Sequence, residues 1–413
     1  MESESTPRHV TRAGSALEVL RAFLLLGCTS FGGPIAHIGY FRREFVERRR
    51  WLDDATFSDL FALCQFLPGP ASSQVGFSIG LLRAGWWGGA AAWLGFTLPS
   101  AILMTGYASL AGWLDNALGH GLVHGLKLVA VAVVAQAIWD MARRLCPDLT
   151  RAAIALAALA LLSVLDTVYA QIIVIGCGAL LGLAACRMPA LPVARGASRC
   201  AHDVSLPRTA SGIALALFCA LLAGLPLLEA LLPSGWALRL FDVFYRSGAL
   251  VFGGGHVVLP LLQQATVANG WISASDFLAG YGAAQAVPGP LFTFASYLGW
   301  IMSPAPHHWV GMLCATAGIF LPGLLLVIAV LPHWQVLRAR RAVAALLAGA
   351  NAAVVGLLAS AFYSPVWTSA VLSATDFAVA VVALLLLTRW RVRPLLVVLF
   401  CAAAGLAEAL LHA

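Results

Sequence analysis

Apolar residues run along this chain in blocks, with polar residues gathered between them. The blocks read as Leu17 to Ser30, Phe57 to Leu82, Trp86 to Leu110, Leu118 to Met141, Ala152 to Leu165, Val168 to Ala185, Gly212 to Leu232, Leu240 to Leu250, Phe277 to Ile301, Trp309 to Leu331, Val343 to Phe362, Phe377 to Leu387 and Leu395 to Leu411. A bilayer-spanning helix needs about 20 apolar residues. Backbone groups in lipid must be satisfied within the segment, so the blocks predict helices. Two blocks are interrupted, one by Gln65-Phe66-Leu67-Pro68-Gly69-Pro70 and one by Gln285-Ala286-Val287-Pro288-Gly289-Pro290. Pro-Gly-Pro cannot continue a helix, because each proline removes a donor and pushes its predecessor out of the helical region. Phe31-Gly32-Gly33-Pro34 and Phe252-Gly253-Gly254-Gly255 break the chain at two further places.

The breaks recur at a nearly constant spacing. Phe252 minus Phe31 is 221, Trp271 minus Trp51 is 220, Phe277 minus Phe57 is 220 and Pro288 minus Pro68 is 220. Trp309 minus Trp86 and Pro322 minus Pro99 are both 223. This is an internal duplication. The fold class predicted is an all-α polytopic membrane protein. It has two inverted-topology repeats of about six hydrophobic segments each, broken at Pro-Gly-Pro and joined by one extra span. Residues 1–187 form the first repeat, 188–235 the polar linker plus connecting span, and 236–413 the second repeat. The inversion follows if all thirteen blocks cross, since seven crossings would separate a segment from its copy.

Composition supports the bilayer as solvent. Of 413 residues, 61% are hydrophobic and 10% charged, against about 25% charged in soluble domains. The net charge of +7 comes from arginines between the blocks, which suits topology determinants rather than a nucleic-acid surface. With an internal N-terminus, the loops near Asp115, Thr167, Ser303 and Pro365 are external and lack Lys and Arg. The Arg42 to Arg50 stretch is the exception. It falls outside, and either its acidic neighbours offset it or a broken segment is re-entrant. The cysteines stand singly, without Cys-x-x-Cys, and read as small buried hydrophobes. Met1 to Gly14 lacks the apolar core of a signal peptide.

After each Pro-Gly-Pro a half-helix begins, with its free amides and positive dipole end at the break. Ser72 and Ser73 follow the first break and Thr293 the second, while Gln65 and Gln285 precede them. Amides, hydroxyls and side-chain amides together suit an oxyanion. Paired breaks in matching halves point to a transporter's central site. His37 is the candidate for proton coupling, Lys127 for neutralising the anion, and Arg43 for attracting it. His256 follows the second glycine run but is not the repeat-mate of His37. Asp59 and Asp276 read as helix caps, Arg246 as the partner of Asp242, and Arg83 as an interfacial residue. Gly76-Phe77-Ser78-Ile79-Gly80 matches the nucleophile-elbow pattern, which leaves an intramembrane hydrolase using Ser78 as the enzymatic alternative. There is no Walker-type loop and no His-Glu-x-x-His, so no cofactor or metal is expected.

Phe31-Gly32-Gly33-Pro34 with His37, then Arg43-Glu44-Phe45-Val46, Arg50-Trp51-Leu52 and Gln65 through Pro70, resemble the chromate ion transporter family. Phe252-Gly253-Gly254 and Gln285 through Pro290 resemble its second-half motifs. The resemblance implies a long-chain, two-domain secondary transporter in a bacterial inner membrane, not an enzyme. It would export chromate against protons and confer chromate resistance, with sulfate as a similar dianion; uptake or exchange of sulfate or another oxyanion is the alternative. The matching positions imply a substrate site from Gly32, Gly33, Pro34, Arg43, Gln65, Pro68, Gly69, Pro70, Gly253, Gly254, Gln285, Pro288, Gly289 and Pro290, with His37 beside it. Expected partners are the oxyanion, protons, lipid and a second copy in a homodimer, without nucleic acid. The second half departs from the pattern: Gln263, Gln264 and Ala265 replace the arginine-rich stretch.

Overall fold

The computed structural model describes residues 14–110, 116–165, 167, 170–186, 207–231 and 235–412. The N-terminal tail with Arg8 and Arg12, Asp115, Cys200 and most of the polar linker lie outside the described residues.

Helix α1 (Ala16–Thr29) starts behind Ser15, whose hydroxyl accepts from the Glu18 amide at 3.1 Å. Gly32 and Gly33 then take φ of 100° and 76°, a region that favours glycine. Helix α2 (Gly33–Phe41) departs with a proline in its first turn and continues as the π-helical Arg42–Arg48. Helix α3 (Asp54–Phe66) leads to the first Pro-Gly-Pro, and α4 (Ala71–Ser109) follows. Helix α4 is folded back on itself at Ala84 and Gly85, which leave the helical region. Its limbs, 71–83 and 86–109, run antiparallel in close contact: a Cβ on Gly80 would lie 2.3 Å from the Gly88 carbonyl oxygen.

Arg83, at the end of limb 71–83, shows where these pieces point. Its carbonyl accepts from the Gly14 amide at 3.0 Å, and its guanidinium pairs with Glu18 at 3.3 Å and lies 5.1 Å from the Trp51 ring centroid. The start of α1, the stretch after α2 and the end of limb 71–83 therefore share one level. α1–α2 is a hairpin that dips in from one face and returns to it, and so is α3 with limb 71–83. The first full crossing is 86–109, about 36 Å long at 1.5 Å per residue.

Four helices lead to the second repeat: α5 (Ala117–Leu145), α6 (Leu149–Val164), α7 (Ala170–Ala185) and α8 (Arg208–Leu231). The hairpin pattern then returns in α9 (Trp236–Ala249), α10 (Val258–Thr266), α11 (Ala274–Ala284) and α12 (Phe294–Ile301), followed by the crossing helix α13 (His308–Val330). Trp236 stacks on His307 at 6.2 Å, so the entry of α9 meets the turn before α13 as Gly14 meets Arg83. Gly299 packs on Gly311 as Gly80 packs on Gly88. Helices α14 (Trp334–Arg338), α15 (Arg341–Ala361), α16 (Ala374–Thr388) and α17 (Pro394–His412) complete the fold.

The two repeats enter from opposite faces. Tyr107, at the far end of limb 86–109, stacks on Tyr297 at 5.5 Å. Trp334, just beyond α13, donates to Asp59 of α3 at 3.1 Å. Each crossing helix thus ends at the hairpin mouth of the other repeat, as inverted repeats require. The number of crossings differs from the sequence expectation. Of thirteen blocks, the four beginning at Leu17, Phe57, Leu240 and Phe277 are hairpin limbs, which leaves nine apolar helices among the described residues: six long and apolar enough to cross a bilayer, and the shorter α6, α7 and α16. With α6 and α7 counted as crossings, five rather than seven separate a helix from its copy, still an odd number. Hydropathy does not distinguish a dip from a crossing, because both bury the same apolar surface.

The hairpins also remove the charge exception. Arg42 to Arg50 lies on the same face as Arg83, not on the opposite one. Its charges are partly offset there: Arg42 pairs with Asp54 at 2.7 Å and Glu47 at 3.0 Å, and Glu44 holds Arg49 at 2.6 Å and Arg48 at 3.0 Å. The ends of α5, α14 and α16 add Arg143, Arg144, Arg338 and Arg389 to this arginine-rich face. Two smaller expectations change as well. Cys28, Cys177 and Cys219 are exposed rather than buried, because an apolar run in a membrane faces lipid as readily as core. Asp59 does not cap α3; Asp53 does, accepting from the Thr56 amide at 2.7 Å.

Candidate functional site

The four breaks converge where the hairpins of the two repeats meet. The Gly69 amide of the first Pro-Gly-Pro donates to the Val251 carbonyl at 2.7 Å. The Gly289 amide of the second donates to the Ser30 carbonyl at 2.9 Å. Subtracting the repeat spacing turns one bond into the other, so the pair is reciprocal. The glycines are required by close approach: a Cβ on Gly69 would lie 3.0 Å from the Gly323 Cα, and one on Gly289 2.8 Å from the Ser100 hydroxyl oxygen. Both also have left-handed φ, 122° and 97°. Pro34 and the Gly255 position, themselves repeat-mates, are in contact on this axis. These two amides are thus committed to joining the repeats and are not free for a ligand.

What stays open at the breaks is the start of each following helix. Helices α2 and α4 begin there with no side-chain cap, behind Gly32 and Pro70. The second repeat restarts with short 3-10 turns, Gly255–Val257 and Leu291–Thr293, also uncapped. Uncapped helix N-termini carry partial positive charge and attract anions.

Several buried polar atoms around the breaks have no hydrogen-bond partner. They are Ser30 Oγ, both ring nitrogens of His37, Ser73 Oγ, Gln74 Oε1, Trp93 Nε1, Thr97 Oγ1, Gln285 Nε2 and Asn351 Oδ1. Leaving a buried polar group unpaired costs roughly 1–3 kcal/mol. The His37 ring packs edge-on against Phe96 at 5.3 Å, and the Ser30 backbone faces it without forming a bond of normal geometry. Gln74 Nε2 ties Pro68 to Gly323, donating to their carbonyls at 2.9 and 3.1 Å.

The residues singled out by sequence divide into two groups. Gly32, Gly33, Pro34, Pro68, Gly69, Pro70, Gly253, Gly254, Pro288, Gly289 and Pro290 form the breaks themselves. Ser72 and Ser73 are buried in the first turn of α4, His37 is buried one turn into α2, and Gln285 is half-buried beside Tyr281. Gln65 instead is exposed. Arg43 is exposed on the arginine-rich face, about 15 Å along the helix from Gly33. Lys127 is half-buried on α5, within electrostatic range of Asp276 and Asp376 near the opposite mouth. Neither cation reaches the breaks. His256 accepts or donates at Nδ1 with the Tyr281 hydroxyl at 2.8 Å, and Arg246 pairs with Asp242 as expected. Ser78 lies within a helix, not at a strand-to-helix turn, and its hydroxyl donates to the Gln74 carbonyl at 2.7 Å.

Sequence reasoning passed over Ser30, Gln74, Trp93, Thr97 and Asn351. A signal was present for most of them: polar residues inside apolar blocks, placed next to Phe31-Gly32, after Ser72-Ser73, or before Pro99.

The chain matches the chromate transporter family profile twice, over residues 17–183 and 238–406. A chromate transport protein of Pseudomonas aeruginosa is 28% identical over 360 residues, covering 86% of this chain and 82% of the relative. A chromate transport protein of Cupriavidus metallidurans is 24% identical over 370 residues, covering 86% of each. No solved structure matches the chain. Two profile matches that together span most of the sequence, one on each inverted repeat, place this chain in the chromate transporter family.

Proposed function

We propose that this protein exports chromate across a bacterial inner membrane by proton-coupled alternating access. The observation that carries the reading is the convergence of four uncapped helix starts at the meeting of inverted hairpins, lined by unpartnered polar groups. Such a site neutralises an oxyanion with dipoles and hydrogen bonds instead of a fixed cation. Residues 1–187 and 236–413 act as two domains that rock about it, joined by 188–235. The arginine-rich face is cytoplasmic by the positive-inside rule, and Arg43 there gathers the dianion. Ser72, Ser73, Gln65 and Gln285 contact it along its path, Lys127 offsets its charge nearer the opposite mouth, and His37 carries the coupled proton. A second copy completes a homodimer.

The test is chromate flux into inside-out vesicles under an imposed proton gradient, with sulfate as competitor. Gradient-dependent chromate accumulation, weakly inhibited by sulfate, is expected. Accumulation only of sulfate would replace chromate export with sulfate exchange. His37→Ala is expected to uncouple flux from the gradient; full gradient-driven flux in that variant would remove His37 from coupling.

A further inference from the structure

The repeats are alike in backbone and unlike in the side chains at their breaks. We infer that the oxyanion site is one-sided: it is built by the first repeat from Ser30, His37, Trp93 and Thr97, while the equivalent place in the second repeat is plugged. This rests on the transport reading above and deepens it.

The four residues share one region. Ser30 closes α1 and its backbone faces the His37 ring. His37 abuts Phe96, the neighbour of Thr97. Trp93 and Thr97 lie one turn apart on limb 86–109, so they point to the same side of that helix. The second Pro-Gly-Pro adjoins this region, with Gly289 bonded to Ser30 and packed against Ser100 and the Phe96 carbonyl. Ser30 and His37 are 0% exposed and Thr97 is 3% exposed. None of their polar side-chain atoms, nor the Trp93 indole nitrogen, has a partner.

The repeat spacing identifies the counterparts. Ser30 and His37 map onto Val251 and Val258 at a spacing of 221, and Trp93 and Thr97 onto Thr316 and Phe320 at 223. Two are valines with nothing to donate. Thr316 is satisfied, its hydroxyl 2.7 Å from Ser296 Oγ and 2.7 Å from the Met312 carbonyl. Phe320 fills the remaining space, its ring 5.9 Å from Phe292 and 5.9 Å from Trp93. The backbone differs in the same direction. The first-repeat breaks open directly into α-helices, whereas the second-repeat breaks open into 3-10 turns in which Val257 and Thr293 amides are already bonded to Gly254 and Pro290.

The chemistry of the first-repeat set selects its ligand. Serine and threonine hydroxyls, an indole N–H and an imidazole N–H can all donate. No carboxylate belongs to the set, so a cation gains nothing there. A tetrahedral oxyanion presents acceptors in every direction and can take several donors at once. The protein therefore holds one dianion per chain, bound to the first repeat. The second repeat faces it with Val251, Val258 and Phe320 in the equivalent positions, and with Gln285 as an unpartnered donor beside the second Pro-Gly-Pro.

The experiment uses the full chain, purified and reconstituted. Equilibrium binding of radiolabelled chromate is expected to saturate at one per chain. Thr97→Val and Ser30→Ala each remove one donor to a charged ligand without changing shape, and each is expected to raise KM for chromate about tenfold. Thr97→Ser, which keeps the hydroxyl, is expected to restore it, and this separates donation from folding. Thr316→Val in the second repeat is expected to leave KM within about twofold. Two chromates bound per chain, or Thr97→Val and Ser30→Ala both at wild-type KM, would overturn the one-sided site. A wild-type protein that moves neither chromate nor sulfate would overturn the transport reading instead.

Discussion

The two mouths of the molecule are closed by different chemistry. At the arginine-rich mouth, Asp59 of α3 accepts from Trp334 Nε1 and Gln335 Nε2, both at 3.1 Å, and pairs with Arg338. Both charged side chains are only 7% exposed. All three donors come from α14 of the other repeat. At the opposite mouth, Asp276 is exposed and bonds Ser273 of its own helix start, while the Tyr297 hydroxyl donates to the Asp276 carbonyl at 2.9 Å and Tyr107 stacks on Tyr297. Lys127 stands nearby without an ion pair among the described residues. One mouth is latched by the desolvated Asp59–Arg338 pair; at the other Tyr107 stacks on Tyr297, and His124 of α5 meets Asp376 of α16 at 2.6 Å. Duplication copied the backbone, and the side chains then made the two gates unequal. On the alternating-access reading proposed above, the Asp59–Arg338 mouth is expected to cost more to open.

The largest expected effect comes from unlatching one side only. Asp59→Ala leaves the Arg338 charge buried without its carboxylate, which costs roughly 3–5 kcal/mol. A sharp drop in the unfolding midpoint in detergent is expected, with part of it recovered in Asp59→Ala/Arg338→Ala. If the double variant is as unstable as the single, the latch is not an isolated charge pair. Arg338→Lys keeps the charge and loses the planar fork, and a smaller loss of about 1–2 kcal/mol is expected from the same measurement. At the other mouth, Tyr107→Leu removes only the ring pairing, for about 1 kcal/mol. A loss as great as that of Asp59→Ala would erase the difference between the gates. The smallest effect on stability, within about 0.5 kcal/mol, is expected from Gln263→Arg/Gln264→Arg. These glutamines stand at the repeat positions of Arg42 and Arg43 and line a cavity of about 170 Å³ with Gln171, Ser360 and Ser364. The added charge is expected to speed chromate entry from that face at low salt and to lose its effect at high salt, read from initial rates.

Much of the site was legible in the chain because its glycines and prolines are demanded by backbone geometry. Gly32, Gly69, Gly253 and Gly289 take left-handed φ where a Cβ is disfavoured, and local sequence reports that directly. The residues expected to supply charge were harder to read. Arg43 and Lys127 are cations in or beside apolar blocks, but helix length carries one to the rim and the helix path places the other near the far mouth. Gln65 and Gln285 hold the same place in their motifs, yet one is exposed and the other half-buried. Asp59 looked like a cap because it lies near a helix start, and its partner is 279 residues away.

By itself, then, the sequence determined that this is a helical membrane protein, duplicated, with four breaks at fixed places. Those properties follow from hydropathy, spacing and the steric rules of glycine and proline, which act over a few residues. Only the tertiary structure decided that the broken segments are hairpins, because the turn at Ala84 and Gly85 sends a long apolar run back to the face it came from. Only it decided that Gly69 and Gly289 bind the opposite repeat, and that Ser30, His37, Trp93 and Thr97 are left unpartnered while their repeat-mates are apolar or satisfied. Those outcomes depend on which distant surfaces meet, and periodicity along the chain carries no record of that.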